Sequence, residues 1–200
     1  MRRSDFEILQ LQTNNMALVW KEARGIAPDS VADKMDDAML RWMSELTKTL
    51  KIWLDKGTSM TDGELILART NMGALVESWL KFFYCVYYED YMKNPLKKAK
   101  KGKPITVEPN DMKFDDLKNF SKGILWADEK DPLYAWVDKI QHYRNAVHAF
   151  NYRDIGSATE FVTDMEEFYK YVNHILDRLP PIEDFLECYP EGYVMNVYCD

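Results

Sequence analysis

Glycine and proline are scarce in this 200-residue chain, eight of each, and the prolines fall between stretches of periodic hydrophobicity. That leaves little material for the turns of many short strands and favours long helices. Cysteine is scarcer still. Cys85, Cys188 and Cys199 form no C-x-x-C pair and are odd in number, which supports neither a zinc site nor a disulfide framework and points to a reducing cytoplasm. The longest apolar run, Phe82 to Tyr88, is too short and too tyrosine-rich to span a bilayer. The basic start, Arg2 and Arg3, is not followed by the apolar stretch of a signal peptide. The expectation is a soluble, cytoplasmic protein with no membrane partner.

Motifs for several chemistries are missing too. There is no glycine-rich phosphate loop, no G-x-S-x-G elbow and no H-E-x-x-H, so nucleotide kinases, α/β-hydrolases and zincins find no support. None of His142, His148 and His174 has a glutamate three residues before it, as a carboxylate-bridged metal bundle requires. No cofactor and no metal is expected.

What is present is material for a core: 46% hydrophobic residues, with six Trp, twelve Tyr and nine Phe. The net charge of −7 argues against a protein that coats nucleic acid non-specifically but leaves room for one that grips RNA locally. Periodicity predicts an all-α, up-and-down helical bundle in one domain, residues 1–200.

The first helix is expected over residues 4–23, with Ser4 as N-cap and Gly25 as its stop. The second runs from Pro28 to near Gly57 on the stripe Val31, Met35, Met39, Trp42, Leu46, Leu50 and Trp53. A third, capped by Thr61 or Asp62, runs to about Lys93 on Leu65, Met72, Leu75, Trp79, Phe83 and Val86, with a strand as the alternative at 82–88. Residues 94–112 read as a lysine-rich, solvated loop or a phosphate-attracting arm. A shorter helix follows from Phe114 toward Trp126. Asp131 and Pro132 then open a helix with Leu133, Trp136 or Val137, Ile140, Tyr143 and Val147 facing inward. Ser157 caps the last, whose stripe is Phe161, Met165, Phe168, Val172, Ile175 and Leu179 and whose Asp164, Glu166 and Glu167 read as a solvated acidic face. Residues 181–200 form an aromatic, apolar tail, expected to pack on the bundle or on a partner.

The stretch that carries chemistry is Gln141 to Asn151, where Arg144, Asn145 and His148 come together. On a continuous helix, positions four apart share a face. An always-charged guanidinium beside an imidazole suits phosphate chemistry, although such a pair is also an ordinary polar contact between helices.

Arg144-Asn145 followed by His148 resembles the signature of the HEPN superfamily, small all-helical domains of which many are metal-independent ribonucleases in toxin–antitoxin and phage-defence systems. Three residues separate the Arg from the His, fewer than the usual family interval. Upstream, Glu77 and Lys81 are similar to the Glu-x-x-x-Lys pattern on an earlier HEPN helix, a spacing that is equally a favoured surface ion pair. The resemblance implies a four-helix core with added N-terminal helices, a homodimer that brings two motifs together, an RNA substrate, and a cognate antitoxin or regulatory protein. It assigns Arg144, Asn145 and His148 as catalytic and Glu77 and Lys81 as supporting, with His142 a lesser candidate proton carrier. The alternative is a non-catalytic HEPN-like module for protein interaction or RNA binding.

Overall fold

The computed structural model describes residues 1–100, 102–148, 150 and 152–180. These form eight α-helices: α1 Arg3–Lys21, α2 Asp29–Asp37, α3 Leu40–Lys56, α4 Asp62–Val86, α5 Tyr88–Lys93, α6 Phe114–Phe120, α7 Pro132–Arg144 and α8 Ala158–Leu176. The fold is an all-α helical bundle. Among the described residues, no helix is long and apolar enough to cross a membrane. The aromatic tail, 181–200, lies outside the described residues.

Helix α4 is the axis of the bundle, packing against α3, α7 and α8. At 1.5 Å per residue its 25 residues span about 37 Å. Its start is fixed by a capping box, in which Thr61 Oγ1 accepts from the Glu64 N–H and Glu64 Oε2 accepts from the Thr61 N–H at 3.0 Å. Its second half is covered on all sides, with Phe82 to Val86 all buried, so the strand propensity of that window is overruled by tertiary packing. Trp79, Leu75, Leu80, Phe161, Phe168 and Tyr171 fill the centre without solvent contact. The Tyr171 hydroxyl donates to the Val76 carbonyl at 2.9 Å, which satisfies a polar tip in an apolar interior.

Three sequence expectations are corrected. The helix expected from Pro28 to Gly57 is two helices, broken at Ala38, whose backbone is extended (φ −79°, ψ 136°). Asp36 and Asp37 end α2, where carboxylates oppose the helix dipole. The break resets the helical phase. Leu40, Met43, Ser44, Thr47 and Leu50 turn inward, while Met39 and Trp42, expected on the core stripe, are 58% and 66% exposed. The helix expected to reach Lys93 likewise stops at Val86 and restarts at Tyr88. Residues 94–112 are not a featureless loop: Lys97–Lys100 (β1) pairs antiparallel with Lys103–Thr106 (β2), with Lys97 opposite Thr106, and Gly102 supplies the left-handed turn residue at φ 75°.

The α2–α3 break leaves a groove against α4, about 250 Å³ in volume, whose wall includes Met35, Met39, Trp42, Met43, Lys81 and Cys85. Burial pushes the Cys85 thiol up to about 11, so at pH 8 only about one thiol in a thousand is ionised. With Cys188 and Cys199 replaced by serine, alkylation of Cys85 at pH 8 is expected to run at least tenfold slower than that of a free thiol and to climb steadily toward pH 11. A plateau near pH 8.5 would show a solvated thiol instead.

Candidate functional site

Helix α4 presents a row at four-residue spacing, Arg69, Gly73, Glu77 and Lys81, and this row faces α7 and α8. Residues four apart form one of the natural ridges of a helix surface. Each member meets the motif stretch or its surroundings in a different way.

Gly73 admits Arg144. A Cβ placed on Gly73 would lie 2.5 Å from the Arg144 Cβ and 2.9 Å from its Cγ and Cδ, so the two helices cross here at a distance only glycine allows. One turn later Glu77 forms an ion pair with the Arg144 guanidinium through Oε2, while its Oε1 accepts from Lys81 Nζ at 3.0 Å. Glu77 is 13% exposed and Arg144 32%, and the guanidinium lies 5.8 Å from the centroid of the Phe114 ring. The carboxylate thus serves two cations and sets the direction of one of them. Replacing Gly73 with alanine is expected to overpack the crossing by about 1–3 kcal/mol, against a helix-propensity gain of about 1 kcal/mol. A lowered urea midpoint is the expected outcome, and an unchanged or raised midpoint would mean that the helices separate freely.

Arg144 is the last residue of α7, whose start is capped by Asp131, its carboxylate accepting from the Leu133 N–H at 2.9 Å. Asn145–Val147 continue as a single 3-10 turn. The His148 N–H donates to the Asn145 carbonyl at 3.3 Å. Arg144 and His148 therefore do not sit one turn apart on a continuous α-helix, as the sequence spacing implied. The helix tightens and ends between them, and Val147, expected inward, is exposed. The His148 imidazole is exposed and makes no hydrogen bond with the described residues. Beyond it, Phe150 and Tyr152 are also fully open to solvent. His142 points elsewhere: it is exposed and its Nδ1 lies 2.8 Å from the Asp138 carbonyl oxygen, away from the Arg144 trio.

A second constellation, unforeseen from sequence, lies one turn up the same row. Arg69 and Asp164 are fully buried and paired. Asp164 Oδ1 also accepts from Trp136 Nε1 at 3.0 Å and from Lys139 Nζ at 2.5 Å. Arg69 Nε donates to the Ile155 carbonyl at 3.2 Å, and its guanidinium stacks 4.3 Å from the Tyr143 ring centroid. Asp164 is therefore not part of a solvated acidic face, as expected; it is the hub joining α4, α7 and α8. Its sequence signal was its position among Phe161, Met165 and Phe168 on the core stripe, opposite an arginine on the core stripe of α4. Gly156 (φ 64°) closes over this cluster, a Cβ there meeting Tyr143 Oη at 3.0 Å and Arg69 Nη2 at 3.1 Å. Burial, with Glu160 nearby, raises the Tyr143 phenol above its usual range.

Fold and site together define an all-α bundle with an arginine–glutamate–lysine trio at a helix crossing and an exposed histidine just beyond it. No protein-family model, curated protein or solved structure matches the chain.

Proposed function

We propose that this chain is an HEPN-like, metal-independent endoribonuclease that acts as a homodimer in phage defence, a toxin–antitoxin system or a stress response. The observation that carries the reading is the pre-set Arg144, directed by Glu77 beside Lys81, with the solvent-open His148 a short turn away. RNA supplies its own nucleophile: the 2′-hydroxyl attacks the adjacent phosphorus, the bond to the 5′-oxygen breaks, and a 2′,3′-cyclic phosphate and a 5′-hydroxyl result. His148 takes the 2′-proton as general base, and its counterpart in a second copy returns a proton to the leaving 5′-oxygen. Arg144 binds the non-bridging oxygens as the phosphorane charge grows. Asn145 orients the imidazole or the phosphate, and Lys81 adds positive charge behind the arginine.

One observation favours a second reading. The Arg144 charge is already compensated by Glu77, which suits a non-catalytic HEPN-like module that binds RNA or a protein through the same face. Incubating the purified chain with single-stranded RNA in EDTA separates the two. Cyclic-phosphate-ended fragments that disappear in both Arg144→Ala and His148→Ala support the nuclease, whereas cleavage surviving either substitution, or none at all by the wild type, rejects it.

A further inference from the structure

The groove between α2, α3 and α4 goes beyond this reading. Its volume of about 250 Å³ falls below the ~300–1,000 Å³ of pockets that hold small molecules or cofactors, so it suits a few inserted side chains. The wall is built from Met35, Met39 and Met43 with Trp42 and Phe82, and methionine-rich surfaces adapt to the apolar face of an incoming helix. Trp42 and Met39 lie 66% and 58% exposed at its mouth. Large apolar side chains gathered around one groove mark a binding surface.

The chain carries a matching segment. Ile182, Phe185, Leu186 and Tyr189 recur at i, i+3, i+4 and i+7, the anchor spacing of a helix laid in a groove. Pro180 and Pro181 precede them, as prolines commonly precede or open a helix. The intervening Glu183, Asp184 and Glu187 are acidic, and the groove wall includes Lys34 and Lys81, with Asp37 the one acidic member. The path is short. The Arg178 carbonyl accepts from the Tyr87 hydroxyl at 2.5 Å, and Lys34, at the groove, lies 4.8 Å from the ring centroid of the adjacent Tyr88. The chain thus leaves α8 beside the end of α4 that closes the groove. Three extended residues reach about 10 Å.

We propose that residues 182–189 of the chain's own C-terminal segment occupy this groove, apolar face inward. A second copy is the weaker occupant, because a groove of this size provides far less than the ~1,000 Å² that a stable dimer interface buries. A tethered segment by contrast acts at an effective concentration of about millimolar. The proposal stands whether or not the chain cleaves RNA.

The test uses the full chain labelled with 5-fluorotryptophan, the Trp42 signal being assigned through Trp42→Phe. The fluorine shift on transfer from H2O to D2O reports how open that indole is. A small solvent shift is expected in the wild type, rising at least twofold in the Phe185→Ser/Leu186→Ser chain and falling again when a synthetic peptide of residues 181–191 is added to that variant. A Trp42 signal equally solvent-open in both chains would overturn the proposal. So would shielding that grows with protein concentration while the wild type alone sediments as a dimer, because the occupant would then be a second copy.

Discussion

Replacing Asp164 with alanine is expected to destabilise the bundle by about 3–5 kcal/mol, the usual consequence of removing one partner from a buried ion pair. The reason is what remains. Lys139, partly exposed, turns to water at little cost. Arg69 has no such escape: it is fully buried, keeps only the Ile155 carbonyl and the Tyr143 ring, and must hold its charge in a low-dielectric interior. Trp136 Nε1 loses its acceptor as well, costing about 1–3 kcal/mol on its own. The companion variant Arg69→Met/Asp164→Leu removes both charges and is expected to recover most of the loss, leaving the Trp136 contribution. Urea unfolding with an unchanged slope measures both. An Asp164→Ala chain within about 1 kcal/mol of the wild type would show that the pair carries little of the fold.

The second large effect is on activity. His148→Ala is expected to slow RNA cleavage by about 10²–10⁴, the range for removal of a general acid or base, and Arg144→Ala by about 10²–10³, the range for one donor to a developing oxyanion. Stability separates this from a structural effect. His148 is exposed and without a hydrogen-bond partner among the described residues, so its removal should change stability by no more than about 0.5 kcal/mol. Arg144→Ala leaves Glu77 still paired with Lys81, so its cost should stay near 1 kcal/mol. A large drop in activity at unchanged urea midpoint is the signature expected. A bundle that loses several kcal/mol on Arg144→Ala would mark the arginine as a structural strut and support the non-catalytic reading.

The legible parts of the fold were those written in local chemistry. Thr61 and Ser157 with their glutamates three residues on, and Asp131 ahead of Pro132, marked helix starts because each satisfies backbone N–H groups within a few residues. The core stripes of α4 and α8 were legible for the same reason: one period runs unbroken along each. The interruptions were not. Nothing apolar is missing at Ala38 or Tyr87, and the period carries through both; the phase shift comes from packing against other helices. Within the candidate site, Arg144, Asn145 and His148 drew notice by residue type. The roles of Gly73 and of the Arg69–Asp164 pair are set by partners 71 and 95 positions away along the chain and emerge only when α7 and α8 are laid across α4.

The four-residue rhythm along α4 has a further consequence for how this sequence can drift. Loss of a single residue between Gly73 and Glu77 would swing one half of the row about 100° around the helix axis relative to the other. Arg144 would then confront a bulky neighbour while its carboxylate faced elsewhere. Length changes in this protein are therefore confined to stretches such as the β1–β2 ribbon, and the central rod behaves as a fixed ruler against which the interior charge and the surface chemistry are both aligned.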